Sequence, residues 1–244
     1  MTSPGSPTSP GMAGGEAPAG GWCTGVVREV THPSRASVRL RVEVSGRTEH
    51  LPGQHYVFRL TAEDGYTASR SYSVASAPSD PLLEFYVERL DDGEVSTYLA
   101  DVVEPGDELE LRGPIGGWFV WRGDTPAVGV AGGSGVVPLV AMLRHARDLG
   151  STELLRVLVS ARTLAETPYA DELVGQRLVL TREDHAGRPA GRLGADDLRP
   201  LVDETPATAY VCGSAGFAET ASGLLVRLGV PASDVRVERF GPTG

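Results

Sequence analysis

Arg70-Ser71-Tyr72-Ser73 places a fixed cation, an aromatic ring and two hydroxyls on consecutive residues. A guanidinium carries a planar fork of donors that matches a phosphate. Side chains alternate along a strand, so Arg70 and Tyr72 would share one face while Ser71 and Ser73 take the other. Clamp and ring would then stand about 7 Å apart, two strand steps. If the strand ends there, the backbone and hydroxyl of Ser73 can reach a ring edge. The combination fits a flavin dinucleotide. It also fits a half-exposed polar strand that binds nothing.

Further along, Gly132-Gly133-Ser134-Gly135-Val136-Val137-Pro138 lies between a short apolar run and a helical pattern. Glycines there let backbone N–H groups come close to a phosphate. A helix N-terminus adds partial positive charge, and Pro138 suits a first turn that needs no N–H partner. The motif is not G-x-G-x-x-G, because Pro138 holds the last position, and a tight strand–helix turn is the alternative reading. The next strand pattern ends at Ser160, followed by Arg162, with Arg182 after the strand beyond it. No acidic residue closes this strand to hold a ribose hydroxyl. The cationic pair favours a 2′-phosphate, hence NADPH over NADH, unless both arginines are solvated surface charges. Val211-Cys212-Gly213-Ser214 ends another strand at the same expected sheet edge. Cys212 reads as a small buried residue or as a thiol lining a nicotinamide pocket. It has no His or Asp nearby in sequence, which argues against a protease-like nucleophile.

The elements that must position these residues fall into two styles. Residues 1–20 are nearly all Pro, Gly, Ser, Thr and Ala, and are expected to be a disordered tail. From Trp22, short strands recur at Thr24–Val30, Ala36–Val44, His55–Leu60, Arg70–Ala75, Leu82–Arg89 and Glu108–Arg112. One helix is expected over Val95–Ala100, capped by Ser96 or a neighbour. This spacing suggests a small antiparallel barrel. After Gly113-Pro114-Ile115-Gly116-Gly117, strands and helices alternate. Strands are expected at Ala127–Ala131, Leu154–Val159, Arg177–Thr181, Ala209–Cys212 and Val235–Arg239. Helices are expected at Val136–Leu149, ending at Gly150, then Pro168–Val174 and Phe217–Leu228, with a helical turn at Asp196–Leu201. Alternation of this kind indicates a doubly wound parallel sheet. The expected division is a tail at 1–20, a barrel at 21–119 and an α/β unit at 120–244.

Composition excludes several classes. The 244 residues carry a net charge of −10, which disfavours nucleic-acid and membrane surfaces. Only Cys23 and Cys212 are present, too few for a disulfide framework or an iron–sulfur cluster. The five histidines have no metal-ligand spacing, so no metal site is expected. No charged leader precedes an apolar run at the N-terminus, so a reduced, cytoplasmic setting is the default.

Taken in order, the motifs resemble the ferredoxin–NADP⁺ reductase family over roughly residues 22–240. Arg70–Ser73 is similar to its R-x-Y-S flavin motif, and Gly93-Glu94-Val95-Ser96 to its G-x-x-S pyrophosphate segment. Gly132–Pro138 is similar to its G-G-[ST]-G-x-x-P loop, and Cys212-Gly213 to the C-G of its C-G-P segment, with Ser214 in place of Pro. The resemblance implies an antiparallel Greek-key barrel holding noncovalent FAD, followed by a doubly wound parallel-sheet domain for NADP or NAD. By position, Arg70 would clamp the FAD phosphates, Tyr72 would stack on the isoalloxazine and Ser73 would approach N5. Val87 and Arg89 would lie along the adenine side, and Phe240 would cover the opposite flavin face. Ser73 and Cys212 would position and polarise the reacting rings. The implied activity is an FAD-dependent oxidoreductase that takes hydride from NADPH or NADH. It would pass electrons singly to a ferredoxin, a haem protein or an oxygenase component, as a monomer or weak dimer without an iron–sulfur module. The alternatives are a reductase of free flavin, ferric chelate or oxygen, or an electron-transfer subunit of a larger complex.

Overall fold

Strand residues in the first half alternate between apolar and polar, and the fold uses that alternation to fill a barrel. In the computed structural model, residues 21–203, 206 and 208–241 are described. The expected tail at 1–20 lies outside them. Strands β1 (Trp22–Ser34), β2 (Ser37–Glu43), β3 (His55–Thr61), β4 (Thr67–Ser73), β5 (Leu83–Glu88) and β6 (Glu108–Ile115) form one sheet. The order is β4-β3-β6-β1-β2-β5, with every pairing antiparallel. A single bridge between Val74 and Phe85 joins the two edges, closing a Greek-key barrel. Val38, Leu40, Val42, Tyr56, Phe58, Leu83, Phe85, Val87 and Leu111 point inward and are almost wholly buried. Apolar burial of this kind stabilises by about 25 cal/mol per Å².

Helix α1 (Glu94–Asp101) packs beneath the barrel through Val95 and Leu99. Its N-cap is Gly93, not Ser96. Ser96 lies in the first turn, where its hydroxyl donates to Gly93 O (3.1 Å) and accepts from Leu90 N (3.2 Å). The serine therefore ties the preceding turn to the helix.

The second sheet is wholly parallel. It comprises β7 (Ala127–Gly132), β8 (Leu155–Ala161), β9 (Arg177–Leu180), β10 (Thr208–Ser214) and β11 (Val235–Phe240) in the order β11-β10-β7-β8-β9. Helix α2 (Val137–Leu149) covers one face. Helices α3 (Ala195–Val202) and α4 (Ala215–Arg227) cover the other, so buried residues fill both sides. Gly150 ends α2 at φ 68°, a left-handed cap that glycine adopts without steric cost. The helix expected at Pro168–Val174 is only a 3₁₀ turn, Ala170–Leu173. Tyr169, at φ 58°, and Gly175, at φ 85°, bracket it and leave no room for an α-helical turn. The α2 face of this sheet also meets the barrel: Ala75, Phe119 and Trp121 belong to the same buried cluster as Leu139, Met142 and Cys212. No helix among the described residues is long and apolar enough to cross a membrane.

Candidate flavin and dinucleotide site

The flavin segment lies at the end of β4, an edge strand paired only to β3 within the sheet. Tyr72 stands opposite Tyr56, and its ring meets Phe58 edge to face, with centroids 5.3 Å apart. Burial pushes its phenol up to about 12, against the opposing pull of Arg70. Arg70 shares that face but is exposed, and its guanidinium donates only to Ser69 O, at 2.8 Å, among the described residues. Ser71 is exposed on the opposite face, and Ser73 is buried where the strand ends. Val74 N then donates to Gln54 O and Ala75 N to Glu84 O, which turns the chain across the barrel mouth.

Three residues assigned to the flavin half are committed elsewhere. Val87 is fully buried in the barrel core, so its side chain cannot line a ligand groove. Arg89 is held by both oxygens of Asp101 (2.9 and 3.1 Å) and by Asp91 (2.8 Å). Val95 is buried under the barrel. The backbone at Gly93 fits a pyrophosphate better. A Cβ there would stand 2.3 Å from Ser96 Oγ, so a larger residue would displace the hydroxyl that ties this turn to the N-terminus of α1. An uncommitted guanidinium and a glycine-opened helix start are a suitable donor set for the diphosphate of FAD.

The dinucleotide loop is built from close backbone contacts. Gly132 ends β7, and Gly133–Val136 forms a 3₁₀ turn leading into α2, with Pro138 in the first turn of that helix. A Cβ on Gly135 would lie 2.3 Å from Cys212 O, and one on Gly132 would lie 2.7 Å from the Phe217 ring. Gly213 adopts φ 155°, and a Cβ there would meet Phe217 at 2.8 Å. Glycine at these three positions thus lets the loop after β7 nest against the end of β10. Gly133, at φ 56°, faces open space instead. Its N–H and the start of α2 suit a second pyrophosphate. Ser134 Oγ reaches out of the loop to Glu88 Oε2 on the barrel, at 2.8 Å. Ser214 caps α4 by accepting from Phe217 N at 3.4 Å. A proline could not supply this cap, which gives the serine here a local purpose.

Ser160 is buried beside Gly132 in the parallel register. Arg162 and Arg182 are brought together, since Arg182 N donates to Arg162 O at 2.9 Å. Both are exposed, and neither enters an ion pair among the described residues. Phe240 is half-buried opposite Ser214, against the cluster that contains Cys212 and Ala75. Cys212 is fully buried, and burial followed by nearby Glu238 pushes its thiol well above the ordinary range. It therefore stays a neutral thiol.

Glu238 was missed by sequence reasoning. It pairs with Cys212 across β10 and β11, and burial raises its carboxyl to about 7. A lone acid near the chain end carries no signal in sequence. Glu84, Arg144 and Tyr169 were also missed. They meet between the two sheets, where Tyr169 Oη donates to Glu84 Oε1 at 2.9 Å and Arg144 Nη2 to the same oxygen at 3.2 Å. The alternation Leu83, Phe85, Val87 against Glu84, Tyr86, Glu88 signals an outward polar face, but not what covers it. Among the described residues, no group of three His, Cys, Asp or Glu is placed to hold a metal ion.

Residues 25–120 match the oxidoreductase FAD-binding domain family. The chain is 28% identical over 230 residues to the ferredoxin–NAD(P)⁺ reductase component of the naphthalene 1,2-dioxygenase/salicylate 5-hydroxylase systems of a Ralstonia species. That alignment covers 89% of this chain and 68% of the relative. It is 27% identical over 223 residues to the reductase component of propane 2-monooxygenase from Mycolicibacterium goodii, covering 84% of this chain and 63% of that one. In structure it resembles a ferredoxin NADP⁺ reductase from Neisseria gonorrhoeae with bound FAD and NADP. There the TM-score is 0.77 at 17% identity, over 89% of this chain and 98% of that one. With the barrel, the parallel sheet and both glycine-opened helix starts in place, residues 25–120 form an oxidoreductase FAD-binding domain, and the chain as a whole is similar to the ferredoxin–NAD(P)⁺ reductase components of oxygenase systems.

Proposed function

We propose that this protein is the reductase member of an electron-transfer pair, taking hydride from NADPH and delivering single electrons to a separate ferredoxin, haem protein or oxygenase component. The observation that carries the reading is the meeting of the two cofactor loops. Arg144, on the helix that leaves the dinucleotide loop, donates to Ala75 O (3.0 Å), two residues beyond Ser73. Ser134 donates across the same boundary to Glu88. Several relatives are named as reductase components of oxygenase systems, which supports an oxygenase or its ferredoxin as acceptor.

In this reading residues 21–119 hold FAD and residues 120–244 hold the nicotinamide dinucleotide. Bound FAD supplies the chemistry, accepting two electrons as hydride and releasing them singly. The protein's part is to bind, orient and exclude water. Arg70 and the Gly93 turn hold the flavin diphosphate, and Tyr72 offers its ring to the isoalloxazine. Ser73 offers its hydroxyl to the ring edge. Gly133, Ser134 and the start of α2 hold the second diphosphate. Arg162 and Arg182 hold a 2′-phosphate and favour NADPH. Cys212 and Phe240 shape an apolar pocket for the nicotinamide, which keeps solvent from the reacting rings. A reduced, cytoplasmic setting and a monomer or weak dimer complete the proposal.

The purified protein should be yellow, and anaerobic NADPH should bleach it. A colourless protein, or a bound flavin that NADPH leaves oxidised, overturns the reading. Turnover with a ferredoxin should exceed turnover with free FMN or a ferric chelate; the reverse order would assign the protein to the free-flavin reductases.

A further inference from the structure

Five charged side chains and a tyrosine meet between the barrel and the parallel sheet. Arg39 and Glu84 project from the outer face of β2 and β5. Arg144 and Arg147 come from α2, and Tyr169 and Glu172 from the 3₁₀ turn after β8. Glu84 is 5% exposed and Tyr169 3%, so this is an interior cluster. Arg144 is its hub. Its Nε and Nη2 grip both oxygens of Glu172 (3.0 and 2.5 Å), Nη2 also reaches Glu84 (3.2 Å), and Nη1 holds Ala75 O. Tyr169 lies 4.3 Å from the Arg39 guanidinium and 5.3 Å from that of Arg144, while Tyr86 packs on its ring at 5.7 Å. Arg147 adds a second grip on Glu172 (3.1 Å).

A buried ion network adds little net stability where desolvation offsets its attraction, so its role must be read from the local geometry. Two observations point to geometry here. Tyr169 holds a left-handed φ of 58°, a conformation that a bulky residue keeps only when its surroundings fix it. Arg144 also joins both cofactor loops at once, standing two turns along the helix that leaves Gly132–Pro138 and bonded to the carbonyl just past Ser73.

We infer that Arg144, braced by Glu84 and Tyr169, is a positioning residue that sets the spacing between the flavin segment and the dinucleotide loop. The inference rests on the reductase reading above. Hydride transfer needs the reacting atoms about 3–3.5 Å apart, and a displacement of about 1 Å can cost a hundredfold in rate. A fork that ties one loop's helix to the other loop's backbone resists that displacement. It does so without touching substrate or cofactor.

The test compares wild type with Tyr169→Phe, with Arg144→Met and with the charge-balanced double variant Glu84→Gln/Arg144→Met. Tyr169→Phe removes one hydroxyl and should fold, whatever Arg144→Met does alone. Flavin content and the rate of flavin reduction by dithionite should stay at wild-type levels. Flavin reduction at saturating NADPH should slow about tenfold to a hundredfold in the double variant and severalfold in Tyr169→Phe, with KM changed less than twofold. In the flavin-free protein, amide exchange at Val74 and Ala75 should quicken, because the strut has gone whether or not a cofactor is bound. Variants that fold, keep flavin and are reduced at the wild-type rate overturn the inference. So does a loss that simply tracks flavin content. Wild type that NADPH cannot bleach would instead remove the reductase reading, which separates the two failures.

Discussion

In the proposed reading, the flavin segment and the dinucleotide loop serve their cofactors by opposite means. On the barrel most of the proposed contacts come from side chains, the guanidinium of Arg70, the ring of Tyr72 and the hydroxyl of Ser73, with the Gly93 turn beside them. In the parallel sheet the work falls to missing side chains, since Gly132, Gly135 and Gly213 have no space for a Cβ against β10 and α4. The first region should therefore fail when atoms are removed, the second when atoms are added. The arginines divide in the same way. All 22 residues counted as Lys or Arg are arginine, and the fold commits some of them, but not all, to carboxylates. Arg89 and Arg144 are held by acidic partners. Arg70, Arg162 and Arg182 enter no ion pair among the described residues.

The largest expected effect is at Gly135. Gly135→Ala drives a Cβ into the Cys212 carbonyl and should cost at least about 3 kcal/mol, because backbone rather than a flexible side chain must move. Thermal melting checks this, and an unchanged Tm breaks the contrast. Arg70→Ala should weaken FAD retention roughly tenfold to a hundredfold, the loss of a charge-assisted contact of about 1.5–3 kcal/mol, measured by flavin release on dilution. Arg89→Ala should leave retention unchanged, because its donors already face Asp91 and Asp101. Equal losses from the two would erase the division between committed and uncommitted arginines.

Glu238 sharpens the second region. Its folded value, about 7, stands above the ordinary 4.5. The protonated carboxyl is therefore favoured by the fold, and that stability is present below about 4.5 and lost as pH rises through 7. The loss should be roughly 2–3 kcal/mol across this window, and Glu238→Gln should flatten it in urea melts at stepped pH. The smallest effect belongs to Arg162 and Arg182. Either changed to Ala should raise the NADPH KM about tenfold, one contact of about 1.4 kcal/mol, and leave NADH within twofold. Equal changes for both cofactors would return these arginines to the solvated surface.

Much of this was readable from residues because it is local. Glycine runs, alternating strands and the switch from period two to strand–helix alternation each express a backbone preference within a dozen positions. The same locality explains the errors. The family resemblance puts Val87 and Arg89 along the adenine side, but alternation along β5 sends Val87 inward, and Asp101 from α1 claims Arg89. Ser96 looked like a cap because serine often is one; the turn at Leu90–Gly93 used its hydroxyl first. The Glu84–Arg144–Tyr169 cluster joins residues 60 and 85 positions apart, and Glu238 becomes unusual only beside β10. Nothing local distinguishes a carboxylate bound for the interior from one bound for water.

One bridge, Val74 to Phe85, closes the barrel, and it comes directly after Ser73. In the proposed reading the barrel thus carries its seam at its flavin-binding edge. A ligand seated on Arg70–Ser73 rests across that seam, so its departure and the first breach of the barrel are coupled events. Proteolytic nicking of the ligand-depleted protein should begin around residues 74–82, and excess FAD should suppress it in proportion to occupancy. For this chain the flavin is a reagent and also a suture.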